Sequence, residues 1–474
     1  MNDADIGLIG LGVMGANLAL NIADQGYRVA VYNRTAEKTD NFMAQAGGLA
    51  ERFIACRTLE DLVAAIKPPR PIIMMVQAGE AVDQQIALLK PLVQKADILI
   101  DAGNANFHDT MRRFAELDPT GISYLGMGVS GGAEGARHGP SIMVGGSRDC
   151  YRRVEPVLTA IAARHEGDAC VDYLGSDGAG HFVKTIHNGI EYANMQMIAE
   201  IYGLMRTGHG LAPKRIGHVF DRWNDGPLKS YLIEITGKVL AADDPQTDQP
   251  MVDIILDRAG QKGTGRWTAI EAQALGVPAT TIEEAVSARA LSALKQQRLA
   301  AEEIYGPALV ADFPDYGVDA AKTLENALLA ATIIAYAQGF AVMATASAEY
   351  DWKLPYRDVA RIWRAGCIIR SQFLEVIMQA YDKGAEPANL LVAGNVVETL
   401  ETAIPALRRT VAAAAQSGLP VAALAAALGY FETYRNGRST ANLLQAQRDF
   451  FGEHGFERTD RPGAHHGPWG LAPG

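Results

Sequence analysis

Cysteine is scarce in this 474-residue chain. Cys56, Cys150, Cys170 and Cys367 share no spacing of a zinc module or disulfide framework, which excludes a metal-ligating thiol cluster and a stapled secreted scaffold. Basic charge is in deficit as well. A net charge of −11 excludes a sequence-independent grip on nucleic acid, while leaving room for a local basic pocket around a phosphate. No basic-then-apolar leader precedes the first apolar strand, and a reducing cytoplasm is the expected setting. Residues 327–348, ALLAATIIAYAQGFAVMATASA, have the length and apolarity of a membrane span. They are dominated by Ala, contain Gln338 and lack flanking basic residues, so the expectation is a helix buried in a helical domain and no membrane.

What is present is ordinary globular composition, 48% apolar and 20% charged, at a length beyond what one core usually supports. ADIGLIG, YRVAVY, RPIIMMV, ADILIDAG, GISYLGMGVS and PSIMVGG alternate with amphipathic stretches, the rhythm of a parallel, doubly wound α/β sheet over residues 1–178. Strand signals then stop, and Ala- and Leu-rich helical segments fill residues 179–435, an all-helical domain. Residues 436–474 carry one short helix and then Gly, Pro and His; such a tail cannot form a core alone and must dock on something. Residues 184–205 align with 322–343 at Lys, Thr, Asn, two Ala and a final Met. Duplication and chance agreement between Ala-rich helices both account for this.

The first segment contains Gly10, Gly12 and Gly15 in G-x-G-x-x-G spacing, between an apolar strand and an amphipathic helix. The spacing permits a tight turn, backbone approach to a pyrophosphate and close helix packing, so dinucleotide binding is predicted. At the end of the second strand, where an NAD enzyme places an acid, stand Asn33, Arg34 and Thr35. A guanidinium can pair with a 2′-phosphate that a carboxylate would repel, so NADP is the predicted cofactor.

Asn104 and the run Ser130, Gly131, Gly132 follow two further strands, where open sheets bind ligands, although an ordinary turn would read the same. The helical domain opens with GHFVKTIHNGIEYANM. On a helix, Lys184, His187, Asn188 and Glu191 share one face, and this mixed polar set within an apolar segment predicts a cleft wall rather than a wet stripe. Lys262 and Thr264 lie in a Gly-rich loop suited to an oxyanion. Arg289, Arg448 and His454 form a phosphate receptor only if the fold gathers them.

GLGVMGANLALN, VYNRT, SGGAEGARHGPS, KTIHNGIEY, AGQKGTGRWT, ARALSALK, GCIIRS and ANLLQAQRDFFG, in this order from residue 5 to about 457, resemble the decarboxylating 6-phosphogluconate dehydrogenases of the β-hydroxyacid dehydrogenase superfamily. The resemblance implies a Rossmann-like domain, a helical domain built by duplication, and a homodimer in which each tail enters the partner's site. It implies that Gly10, Gly12, Val13, Met14, Gly15, Asn33, Arg34, Thr35, Val76, Gln77, Ala78 and Asn104 surround NADP, with no metal. Asn104, Ser130, Gly131, Gly132, His187 and Asn188 would hold 6-phosphogluconate, with Tyr192, Lys262, Thr264, Arg289, Arg448 and His454 around its phosphate end. Lys184 would be the general base and Glu191 the general acid. Two departures fall near the expected cofactor pocket: Gln77 stands where the family usually has Lys, and Ala133 where it usually has an acid. The competing readings are a non-decarboxylating β-hydroxyacid dehydrogenase, which would not need Arg289, Arg448 or the tail, and a catalytically silent NADP-binding protein.

Overall fold

The computed structural model describes residues 3–261, 263–307, 320–382 and 387–469. The six apolar runs become β1 (Ile6–Ile9), β2 (Val29–Tyr32), β4 (Pro71–Met74), β5 (Ile98–Asp101), β6 (Ser123–Val129) and β7 (Ile142–Gly146). Two strands not expected from the sequence complete the sheet, the three-residue β3 (Phe53–Ala55) at one edge and β10 (Val171–Gly175) at the other. A separate ribbon pairs β8 (Arg164–His165) with β9 (Asp168–Ala169). The sheet order is β10-β7-β6-β5-β4-β1-β2-β3, with β1 to β6 parallel, so the order reverses between β1 and β4. That reversal opens a crevice at the strands' carboxyl ends.

The expectation of an all-parallel sheet needs correction. β7 runs antiparallel to β6, and β10 follows β7. The chain between β6 and β7 leaves and re-enters at one end of the sheet, closed where the Ser130 amide donates to the Ser141 carbonyl at 2.9 Å.

The helix Ala179–Gly203 joins the sheet to the helical half and is buried along most of its length. Its first turn lies on bare backbone. A Cβ on Gly180 would stand 2.5 Å from the Gly145 nitrogen and 2.6 Å from the carbonyl oxygens of Gly126 and Met143, and one on Gly128 would stand 2.5 Å from the Lys184 Cβ. Glycines in β6 and β7 therefore set the depth at which this helix sits. At its far end Glu200 accepts from the amides of Ala423 (2.8 Å) and Leu424 (2.9 Å), the first turn of the helix Ala422–Tyr434. Burial pushes the Glu200 carboxyl above its usual range, against the pull of those two amides.

The apolar segment around Gln338 belongs to the helix Ala320–Glu349, long and apolar enough to cross a membrane yet mostly buried among other helices. Gln338 ties this helix to a neighbour. Its Oε1 accepts from the Thr281 amide at 3.0 Å, at the start of the helix Thr280–Ser292. The loops that follow the two similar segments meet reciprocally. Tyr231 N–H donates to the Arg370 carbonyl at 3.0 Å, and Gln372 N–H to the Lys229 carbonyl at 2.9 Å.

The tail forms the helix Ala441–Gly452 and a ribbon of β11 (Phe456–Glu457) with β12 (Ala464–His465). The described end of the tail is largely exposed, yet one nearly fully covered carboxylate ties it to the helix Ala441–Gly452. Asp449 accepts from Gly455 N, Gly467 N, His466 Nδ1 and Trp469 Nε1 at 2.6–2.9 Å. The Gly467 amide foremost holds its carboxyl well below the ordinary range. On the same helix Leu443, Leu444 and Phe451 are exposed.

The backbone contact at Gly180 gives a direct test. Gly180→Ala should lower the urea midpoint, because overpacking against fixed backbone costs roughly 1–3 kcal/mol. Gly203→Ala, at the other end of the same helix with open space around it, should leave the midpoint unchanged or slightly raised.

Candidate active site

The glycine loop lies at the crevice between β1 and β4. Gly10 has φ +99°, and a Cβ there would stand 2.3 Å from the Met75 carbonyl oxygen; one on Gly15 would stand 1.8 Å from the Gly10 oxygen. Gly12 faces open space at the head of the helix Val13–Asp24, which has neither a side-chain cap nor an acid in its first turn, so its amides remain available to a phosphate. Gly12, Val13, Met14, Gly15, Val76, Gln77, Ala78 and Asn104 all line one cleft of about 710 Å³. Thr264 and Trp267, from the helix Thr264–Ala274, close its far side. Gly10 shapes the turn without lining the cleft.

The Asn33 Oδ1 accepts from Leu11 N at 3.0 Å and pins the glycine loop to the end of β2. Arg34 and Thr35 follow, exposed beside that loop and outside the cleft lining. The Thr35 hydroxyl makes no capping bond to the helix it precedes. Of the two departures, Gln77 lines the cleft and Ala133 does not.

The cleft reaches Val129, and one residue on the polar cluster begins. Lys184 Nζ donates to Ser130 Oγ at 3.0 Å, Ser130 Oγ lies 3.2 Å from His187 Nε2, and His187 Nδ1 lies 3.2 Å from Asn188 Oδ1. An amide oxygen only accepts, so the Nδ1 proton points to Asn188 and the bare Nε2 accepts from the serine hydroxyl. The four groups thus form one directed chain. Burial lowers the Lys184 pKa, opposed mainly by the Glu191 carboxylate. Burial and the neighbouring Lys184 push His187 well below its ordinary value, so the ring is neutral. Glu191, 3.8 Å from His187 Nδ1, is raised by burial against the pull of Lys184 and Arg289. A soluble-surface lysine and glutamate would show neither shift.

Gly131 and Gly132 take positive φ at the start of the helix Gly132–His138. A Cβ on Gly131 would stand 2.5 Å from the Gly366 carbonyl oxygen, so a loop of the helical half braces the Ser130 turn. Farther along the 179–203 helix, the Arg289 guanidinium sits 3.7 Å above the buried Tyr192 ring, whose other neighbour is the bare backbone of Gly265. Lys262 lies outside the described residues. Arg448 and His454 are not gathered with the cluster by contacts within one chain: Arg448 donates to Gln445 at 3.0 Å, and His454 packs edge-on to Phe451.

Sequence reasoning missed the glycines that act by absence, Gly128 under Lys184 and Gly265 under Tyr192. It also missed Cys367, a fully buried thiol pushed up to about 12 by burial. The alternating glycines of YLGMGVSGG were the available signal, since small residues on one strand face mark close approach.

A dinucleotide cleft that runs up to a buried lysine whose pKa is lowered by burial is the layout of a pyridine-nucleotide-linked dehydrogenase. The comparisons with known proteins narrow that class. The model of the NAD binding domain of 6-phosphogluconate dehydrogenase matches residues 5–175, and that of the 6-phosphogluconate dehydrogenase C-terminal domain matches 180–469. The chain therefore belongs to the 6-phosphogluconate dehydrogenase family. It is 46% identical to a Bacillus subtilis relative named as NADP(+)-dependent and decarboxylating, over 99% of this chain and 100% of that one. It is 47% identical to a second relative from the same organism named as NAD(+)-dependent and decarboxylating, over 98% and 99%. A solved 6-phosphogluconate dehydrogenase from Plasmodium falciparum, described in apo form and with NADP+ or 6-phosphogluconate, superposes with a TM-score of 0.94 at 40% identity, covering 98% of this chain and all of that one.

The packing under Tyr192 is open to test. A Cβ on Gly265 would stand 2.4 Å from the ring, so Gly265→Ala should tilt Tyr192 and the guanidinium above it. The expected result is a KM for 6-phosphogluconate about tenfold higher, a loss of ~1.4 kcal/mol, with dinucleotide affinity unchanged in a binary titration.

Proposed function

We propose that this chain oxidises and decarboxylates 6-phosphogluconate to ribulose 5-phosphate and CO2, with NADP+ as acceptor. The observation that carries the reading is the buried Lys184, held on Ser130 with its ammonium form disfavoured. NADP+, when bound, accepts the hydride from C3. Lys184, neutral at the start, takes the C3 hydroxyl proton as the hydride leaves. The resulting 3-keto acid has its ketone β to the carboxylate. The now cationic Lys184 stabilises the oxygen charge that develops as CO2 departs. Glu191, its carboxyl raised by burial, then delivers a proton to C1 of the enediol. Ser130 and Asn188 orient the neutral His187 beside Lys184, where it adds no charge that would compete with the lysine. Arg289 and Thr264 serve the phosphate end, with Lys262 as a further donor.

The choice of NADP+ over NAD+ rests on Arg34. Overall identity does not decide it, since the NADP(+)- and NAD(+)-dependent Bacillus subtilis relatives are almost equally similar. Arg34 is exposed at the end of β2, its guanidinium engages no acceptor among the described residues, and no acid stands at that point. It is free to pair with a 2′-phosphate.

Assembly belongs to the same proposal: two chains exchange tails, so that Arg448 and His454 of each complete the other's phosphate site. The exposed Leu443, Leu444 and Phe451, on a tail whose helix and ribbon pack on each other, support this reading. The reciprocal bonds of Lys229–Tyr231 with Arg370–Gln372 support duplication within residues 179–435. The buried free thiols and acidic composition suit a cytoplasmic setting.

The test of the chemistry is NADPH formation from 6-phosphogluconate with CO2 trapped in parallel. Lys184→Ala should abolish both signals. Glu191→Ala should bind both ligands almost normally and slow completed turnover by about 10²–10⁴-fold. The pH profile should be a bell. Activity falls as pH drops through the depressed Lys184 pKa, because the base becomes protonated, and falls again as pH rises through the elevated Glu191 pKa, because the acid is lost. Hydride transfer blocked as completely in Glu191→Ala as in Lys184→Ala would reverse these roles. For the cofactor, Arg34→Asp should weaken NADP+ far more than NAD+; equal losses in titrations of the two would remove the assignment.

A further inference from the structure

Two buried arginines clamp the same pair of strands, one at each end. At the amino ends of β4 and β5, Arg70 Nη1 meets Asp97 Oδ2 at 3.1 Å, its own amide donates to Asp97 Oδ1 at 2.7 Å, and Nε reaches the Val63 carbonyl at 2.9 Å. At the carboxyl ends, where the cleft is, stands Arg113 from the helix Phe107–Leu117, with its side chain only 1% exposed. Its Nε and Nη2 donate to the two Asp83 oxygens at 2.8 and 2.9 Å, and Nη2 also donates to the Gly79 carbonyl at 2.9 Å. Nη1 lies 3.5 Å from Asp101 Oδ2.

Gly79 and Asp101 belong to the two loops that form the middle of the cleft, and Asp83 lies in the first turn of the helix Glu80–Leu89 that follows the first loop. Gly79, at φ +89°, ends the loop that carries Val76, Gln77 and Ala78. Asp101 ends β5 and folds the next loop, since its Oδ1 accepts from Gly103 N at 3.1 Å while its Oδ2 accepts from the Tyr124 hydroxyl at 3.0 Å. Gly103 and Asn104 line the cleft directly behind that turn. Arg113 itself does not line the cleft. One planar cation therefore spans both loops from beneath, through a carbonyl on one side and a fully buried carboxylate on the other.

We propose that Arg113 is a positioning residue for the dinucleotide: it fixes the spacing between loops 75–79 and 101–104, and with it cofactor affinity. The inference rests on the cleft being the dinucleotide site. A lysine carries the same charge but has no fork, so it cannot bind both Asp83 oxygens and the Gly79 carbonyl in one plane. Arg70 provides an internal control, because it makes a comparable buried pair on the same strands at the end remote from the cleft.

The experiment measures NADP+ and NAD+ affinity by titration, with kcat and both KM values, for the full-length chain and for Arg113→Met, Arg113→Lys and Arg70→Met. Arg113→Met should weaken both dinucleotides at least tenfold and raise the dinucleotide KM more than the 6-phosphogluconate KM. Arg113→Lys should fall in between, at least threefold weaker than the unaltered chain. Arg70→Met should lose thermal stability and keep its cofactor affinity. If Arg113→Met loses stability like Arg70→Met and binds dinucleotide as the unaltered chain does, the residue is merely structural and the proposal fails. Should Arg113→Met not fold, Arg113→Lys decides alone, and unaltered affinity in it overturns the proposal. Absence of dinucleotide binding in the unaltered chain would instead remove the reading of the cleft, which is a separate and visible failure.

Discussion

The contact on which the site depends is backbone against backbone. Gly180 lets the first turn of the 179–203 helix rest on Gly126, Met143 and Gly145 with no side chain between. Helices normally stand off a sheet by the thickness of two side-chain layers. Here the missing layer brings Lys184 down onto Gly128, close enough to reach Ser130 at the end of the same strand. The lysine loses water because its surroundings are packed this tightly, and the loss of water lowers its affinity for a proton. Packing depth and acid-base behaviour are one quantity seen at two levels.

The same principle operates at the opposite pole of the site. Gly265 leaves space for the Tyr192 ring, the ring supports a guanidinium, and the helix containing Gly265 begins with Thr264 at the cleft wall. Loops of the helical half close the arrangement, with the Gly366 carbonyl against Gly131 and the His108 ring 3.0 Å from Glu271. Cofactor cleft and polar cluster are therefore parts of one solid rather than neighbours on separate lobes.

Much of this was legible in the sequence, and the boundary between what was and was not is physical. The glycine loop and the Lys184 to Glu191 face were readable because ligand chemistry recruits residues close together in the chain, at spacings fixed by a turn or a helix. Gly126, Gly128, Gly145 and Gly180 were not, since their importance lies in a partner far away in sequence. The reversed direction of β7 left no trace because an apolar strand has the same composition whichever way its neighbour runs. β3 was too short to show a period. The bond by which Asn33 holds Leu11 was equally hidden, because its partner lies 22 residues away in the chain. The ordered end of the tail depends on Asp449 collecting donors from beyond position 454, which periodicity does not reveal.

The helix that carries Lys184 near one end carries Glu200 near the other, and Glu200 holds the head of the helix 422–434 from which the tail departs. Sixteen helical residues at ~1.5 Å each make this a strut of about 24 Å between the proton acceptor and the head of the helix whose far end releases the tail. A straight helix transmits displacement without absorbing it. In a tail-exchanged pair, the reach of each tail into its neighbour would be measured from the lysine of its own chain. A residue inserted or deleted between Lys184 and Glu200 would then misplace the borrowed groups in the other subunit while leaving its own strand ends untouched. The chain's tolerance to length change should accordingly be lowest along this strut, which also carries His187, Asn188, Glu191 and Tyr192.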